Sequence, residues 1–203
     1  LTDVTFDVFA AEDIKAADGV SKDYYKADEK VGTITTDSNG IAQMDNLPAG
    51  KYYVKEVKTA HGYVLDGEPR YVDLSYRDQD TPVITYDEKW QNTRQKVKVT
   101  VLKKEKDTDR VLAGGVFGLY TSEDIKNVNG DVLLEKDSLI EQKATDEKGQ
   151  ITFAADLPVD GKYYVKENSA PDGFVTTEEV QEFTFEYAGE DQAEVSYDFT
   201  FEN

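Results

Sequence analysis

The chain has 203 residues, a formal net charge of −19, 38% hydrophobic residues and no cysteine. That length suits one or two domains, and the missing cysteine excludes disulfides and thiolate metal sites. The acidic balance argues against nucleic acid and anionic membrane surfaces, which require basic patches, and reads instead as a contribution to solubility.

Thirteen Tyr and nine Phe, beside many Val, Ile and Thr, lean towards strands. Along the chain, the first apolar piece is Val4-Thr5-Phe6-Asp7-Val8-Phe9. The acidic Glu12-Asp13-Ile14 and a charged, Tyr-rich insert, Asp18–Lys30, follow it. Thr36-Asp37-Ser38-Asn39-Gly40 carries turn chemistry. Leu47-Pro48-Ala49-Gly50 resembles a sortase motif but lacks its Thr-Gly ending, and its place before a strand makes it a turn. The strand is GKYYVKE, Gly50–Glu56, with Tyr52, Val54 and Glu56 on one face. Asn92 and a short link, Thr93–Lys96, come next. Val97, Val99, Val101 and Lys103 then alternate on one face of a strand, and Val116–Tyr120 gives another. A short acidic helical piece is expected around Ser122–Lys126, at the start of a long insert, Ser122–Glu141. The turn Asp146–Gly149 leads into Ile151–Phe153 as a hairpin signal. GKYYVKE recurs at Gly161–Glu167, and Glu182–Tyr187 and Val195–Asn203 complete the set.

The recurrence is general. Phe6 answers to Phe117, Glu12-Asp13-Ile14 to Glu123-Asp124-Ile125, Glu56 to Glu167 and Asn92 to Asn203, each at an offset of 111. The offset slips to 109 at Thr36/Thr145 and to 110 at Leu47/Leu157, in loops that tolerate length changes. This predicts two tandem domains of one fold, 1–93 and 94–203. Short strands punctuated by turns predict an all-β chain of two antiparallel, immunoglobulin-like β-sandwiches, each with a short helical insert. Leu1 aligns with Leu112, so the first unit lacks a counterpart of Val97–Val111. Either the chain is a fragment of a longer protein or that strand is supplied from elsewhere. No signal peptide or sorting signal is read at the ends, and no stretch approaches the roughly 20 apolar residues of a membrane span.

Three polar residues of the second unit occupy inward positions. Lys103 continues Val97, Val99 and Val101; Glu167 continues Tyr163 and Val165; Asn203 continues Tyr197, Phe199 and Phe201. A buried unpaired charge costs several kcal/mol, so such groups should meet. Periodicity alone admits a buried Lys–Glu pair with a hydrogen-bonded Asn, or three strand ends that reach solvent.

The run Val99–Glu105, then Leu112-Ala-Gly-Gly-Val-Phe117-Gly-Leu119, Thr145–Gly149, Leu157-Pro158, Tyr163–Phe174 and Phe201-Glu-Asn203 resemble, in order and spacing, the B-type (Cna B-type) repeat domains of Gram-positive collagen adhesins. Those domains are also called prealbumin-like and recur in SpaA-type pilins. The family's Lys-x-Asp stands here as Lys103-Lys-Glu105, and the first copy has Ala60 where the second has Pro171. His61, the only histidine, falls in that loop and reads as an exposed residue.

The resemblance implies an intramolecular amide (isopeptide) bond between Lys103 and Asn203 with Glu167 as catalyst. Glu56 is then the corresponding catalyst of the first unit and Asn92 an orphan acceptor, whose lysine would precede Leu1. It also implies a cell-wall-anchored, extracellular surface protein of a Gram-positive organism, with neighbouring domains of the same protein or pilus as partners. Its role would be that of a structural stalk or pilus-shaft module, the short link favouring a stiff arrangement. The alternative is a binding module whose loops or inserts recognise a host extracellular-matrix ligand. An enzyme that turns over is not expected: there is no phosphate loop and no Ser/His/Asp set. No cofactor and no metal are expected either, because Asp37-Ser-Asn39-Gly40 and Asp107-Thr-Asp109 lack EF-hand spacing and read as turns.

Overall fold

A computed structural model describes every residue except Ala17, Gly19, Gln79, Pro82 and Val128. The chain divides into two compact units, Leu1–Arg94 with Gly189–Asp191, and Gln95–Ala188 with Gln192–Asn203. The described residues form strands, turns and loops.

The first unit holds one four-stranded antiparallel sheet. Its strands are β1 (Thr5–Ala10), β2 (Lys30–Thr35), β3 (Lys51–Lys58) and β4 (Arg70–Asp73), in the order β2-β1-β3-β4. On β1 the alternation is strict, with Phe6, Val8 and Ala10 buried. Together with Ile14 and Tyr52 they form the covered side of the sheet.

The second unit is a complete sandwich. One sheet runs β12 (Val180–Thr184), β11 (Lys162–Ser169), β6 (Val116–Thr121), β9 (Leu139–Ala144). The other runs β10 (Gln150–Phe153), β5 (Lys96–Lys104), β13 (Glu194–Glu202). Val99, Val101, Ile151, Phe153 and Phe201 from the second sheet interleave with Phe117, Leu119, Tyr163 and Val165 from the first. All pairings are antiparallel except that of β5 with β13, which is parallel and runs unbroken from Lys96 opposite Glu194 to Lys104 opposite Glu202.

Two local expectations need correction. The helical piece around Ser122–Lys126 is instead a β-ribbon of β7 (Ile125–Lys126) and β8 (Val132–Leu134). So short a helix is marginal without tertiary support, whereas Asn127 supplies a turn by accepting the backbone N–H groups of Asn129 and Asp131, each at 2.9 Å. Among the described residues of the first unit, the corresponding segment carries the bridge Ile14 to Tyr25. The turn Asp146–Gly149 forms as expected, with Asp146 accepting from Lys148 N and Gln150 N, but it does not close a hairpin. It carries the chain across the sandwich, from β9 beside β6 to β10 beside β5. Turn chemistry fixes a local reversal; it does not fix which strand the departing segment pairs with. Gly149 is required there: its φ is +68°, and a Cβ would stand 2.7 Å from the Lys103 carbonyl.

Candidate functional site

On β5 the inward residues are Val99, Val101 and then Lys103, at 1%, 0% and 0% exposure. On β11 the inward face carries Tyr163, Val165 and Glu167. Strand β13 delivers Phe201 directly opposite Lys103, and Asn203 follows two residues later. Because β5 and β13 are parallel, their C-terminal ends coincide, and this alone brings Lys103 and Asn203 to the same end of the sandwich. Glu167 reaches them from the facing sheet, where it pairs with Phe117 of β6.

Lys103 Nζ donates to Asn203 Oδ1 at 2.5 Å and lies 3.2 Å from Glu167 Oε1, with both charged side chains fully buried. Asn203 Nδ2 donates to Glu167 at 3.3 Å (Oε1) and 3.1 Å (Oε2). Thr177 N–H completes the shell of the carboxylate at 2.8 Å. Around this triad the wall is aromatic: Phe117 and Phe201 lie 5.0 Å apart, and Lys103 Nζ is 5.6 Å from the Phe117 ring centre. Burial pushes the Lys103 ammonium below its ordinary 10.5, with the Glu167 carboxylate opposing the shift. Of the two arrangements left open by periodicity, the structure has the paired one.

The arrangement contains a nucleophile, an acyl carbon and a proton carrier in mutual contact. The carboxylate faces the amide nitrogen of Asn203, while the amide oxygen faces the lysine. Glu167 is therefore positioned between the nitrogen that would lose a proton and the nitrogen that would leave.

The first unit repeats part of this geometry. Glu56 is fully buried, and Asn92 Nδ2 lies 2.8 Å from each of its oxygens. Asp66 N–H donates to Glu56 Oε2 at 2.8 Å, as Thr177 does to Glu167 at the same offset of 111. Trp90 packs on Phe6 at 4.9 Å, matching Phe201 on Phe117. Among the described residues no cation pairs with Glu56. The backbone donors Thr177 and Asp66 were not anticipated; an N–H group leaves no mark in residue type, and only the repeat spacing relates them.

Other sequence-singled residues do structural duty. Asp37 accepts the N–H groups of Asn39 and Ile41 at 2.8 and 3.0 Å, which holds its carboxyl below the usual range. The Pro48 and Pro158 carbonyls accept the hydroxyls of Tyr52 and Tyr163, so Leu47–Gly50 is a clamped turn. His61 sits in an exposed turn. Among the described residues, no group of three or more His, Asp or Glu side chains is arranged to hold a metal ion.

Comparison with known proteins agrees with this architecture. No curated protein matches the chain. Among solved structures it is similar to the TIE protein of Bacillus anthracis, with 25% identity and a TM-score of 0.64 over the whole of this chain; it spans 31% of that protein. It also resembles the C-terminal fragment of the pilus adhesin SpaC from Lactobacillus rhamnosus GG (14% identity, TM-score 0.46, covering 98% of this chain and 88% of that one). The shaft pilin SpaA of the same organism is a further match (16% identity, TM-score 0.35, covering 100% and 88%). At those TM-scores neither pilus protein bears on the arrangement of this chain. The family description "SpaA: Prealbumin-like fold domain" matches residues 1–90 and again 97–199. The chain belongs to the SpaA prealbumin-like fold domain family, of which it carries two tandem copies.

Proposed function

We propose that the chain is a structural stalk or shaft module of a Gram-positive cell-surface adhesin or pilin, working outside the cell. Its second unit is locked by an autocatalytic amide bond between Lys103 and Asn203. One observation carries the reading: the buried Lys103 amine at the end of β5 touches the half-buried Asn203 carboxamide just beyond the parallel strand β13, and the buried Glu167 carboxylate of β11 touches both.

Burial favours the neutral amine, which attacks Cγ of Asn203. Glu167 accepts a proton from Nζ and passes one to Nδ2, and ammonia leaves. Holding the groups in contact supplies the effective molarity that the uncatalysed reaction lacks. The reaction happens once per molecule, so the protein is its own substrate and not an enzyme that turns over.

The mechanical benefit follows from the parallel pairing. Force applied at Lys96 and at Asn203 loads the β5–β13 ladder in shear along its whole length. With the bond in place, tension passes from β5 through the Lys103 side chain to Asn203, and the intervening chain is bypassed. Intact-protein mass spectrometry tests the reading. The chain should be lighter than its sequence by one ammonia, and Lys103→Ala or Asn203→Ala should restore the full mass. A full unmodified mass, with Lys103 and Asn203 recovered in separate tryptic peptides, would refute it.

A further inference from the structure

The ribbon of β7 and β8 exposes an apolar strand. A strand that meets solvent ordinarily turns polar side chains outward. In β8, Val132-Leu133-Leu134, all three side chains are exposed, at 47%, 62% and 39%. Among the described residues no other stretch exposes three large apolar side chains in succession. Leu139, the first residue of β9, is exposed as well. The sheet of β7 and β8 has two strands, so the far edge of β8 presents main-chain groups to solvent. At the foot of the ribbon, Ser122 ahead of β7 and Asp137 after β8 join Tyr164, Lys166, Val180 and Glu182 among the residues lining a groove of about 260 Å³. The Ser122 hydroxyl is buried there and has no hydrogen-bond partner among the described residues. Ala11 occupies the matching position of the first unit: its N–H donates to the Lys51 carbonyl at 2.8 Å, as that of Ser122 does to Lys162. The orphan hydroxyl is thus an addition of the second unit, and a buried hydroxyl is costly until something bonds to it.

We propose that the ribbon and the groove at its foot form a docking surface for an extended, basic segment of another protein. Charge decides the kind of partner. Along 123–137 the apolar strand is framed by Glu123, Asp124, Asp131, Glu135 and Asp137, against which stand Lys126 and Lys136. That acidic frame repels a second copy of this chain, whose net charge is −19, and attracts a segment bearing lysine or arginine. The segment adds a strand to the free edge of β8, where main-chain hydrogen bonds supply affinity. Its apolar side chains cover Val132, Leu133 and Leu134, and its cations meet Asp131 and Glu135, which flank β8. A polar group of the same segment enters the groove and bonds to the Ser122 hydroxyl. This binding role goes beyond the structural one and does not rest on the bond between Lys103 and Asn203.

The probe is a synthetic peptide alternating lysine and valine, added to the full chain, with a peptide alternating glutamate and valine as its control. Hydrogen exchange should slow at 132–134 with the basic peptide and not with the acidic one, and added salt should weaken the effect. Leu133→Ser removes apolar surface at an exposed position. It should leave the melting midpoint in place and weaken binding of the basic peptide, read by titration, by about tenfold. Ser122→Ala should weaken binding by a smaller factor, and an unchanged affinity in that variant refutes the part given to the groove. No protection at 132–134, or equal protection by the acidic peptide, would overturn the proposal. So would protection undiminished in Leu133→Ser, which would reduce the effect to general attraction by an acidic chain. Sedimentation showing dimers without peptide, dissolved by Leu133→Ser, would make a second copy the occupant and overturn it too. The mass of the chain reports the bond between Lys103 and Asn203 separately, so either reading can fail without the other.

Discussion

Replacing Asn203 by alanine removes the acyl carbon while leaving Lys103 and Glu167 paired at 3.2 Å and Thr177 N–H on the carboxylate. The sandwich should therefore still fold, and the main loss is the covalent closure. Lys103 and Asn203 are 100 residues apart, and closing a loop of that length is worth about 4.7 kcal/mol on the chain-entropy treatment of cross-links. For a domain of this size, each kcal/mol moves the midpoint by about 4 °C, so Asn203→Ala should lower it by roughly 20 °C. Calorimetry measures this directly. The transition can be assigned because the only tryptophan, Trp90, lies in the first unit. The second-unit transition is the one seen by heat capacity and far-ultraviolet dichroism but not by tryptophan fluorescence. If the parent chain lacks one ammonia and yet Asn203→Ala melts within about 4 °C of it, about 1 kcal/mol, the loop-closure reasoning is wrong.

Lys103→Ala should cost more than Asn203→Ala, by a further 3–5 kcal/mol or so, because it leaves Glu167 buried without its cation; urea midpoints of the two variants measure the difference. In Asn203→Ala the free Lys103 amine has a folded pKa below its unfolded 10.5. The unfolded chain then binds the extra proton between those values, so stability should rise with pH up to about 10.5, the free-amine value. The parent chain, with that amine acylated, should lack this component, and comparing denaturation at several pH values checks it. Gly149→Ala should destabilise the second unit by more than about 1 kcal/mol, since it combines a φ of +68° with a Cβ 2.7 Å from the Lys103 carbonyl. Its midpoint should fall while the loss of one ammonia relative to the variant's own sequence persists, because the three reacting groups are retained.

Much of the site was legible before any coordinates. An inward residue on a strand is a property of period two, so the parity of Val101 predicts that of Lys103, and Val165 that of Glu167. The repeat offset of 111 then doubles the evidence, placing Glu56 and Asn92 beside their counterparts. Residue type plus parity singled out a lysine, a glutamate and an asparagine as inward residues, but left open whether they meet in the interior or reach solvent at strand ends.

What parity cannot carry is which strands become neighbours. The parallel pairing of β5 with β13 joins segments about a hundred residues apart, and no local preference of either segment encodes it. The same limit made Asp146–Gly149 look like a hairpin when it is a crossing between sheets, and made Ser122–Lys126, which leads into the ribbon of β7 and β8, look helical. The repeat did expose one contrast between the two units, the missing counterpart of Val97–Val111, but not how the flanking segments settle without it. Segments 41–44 and 83–91 have counterparts in β10 and β13, but a ladder needs a central strand to hydrogen-bond to, and their own sequence does not reveal whether one is there. The sequence alone thus determined the all-β class, the two copies and the identity of the buried polar groups. Only tertiary structure decided that Lys103, Glu167 and Asn203 touch, and that Asn92 lies against a fully buried Glu56, because contact depends on long-range pairing that side-chain alternation does not specify.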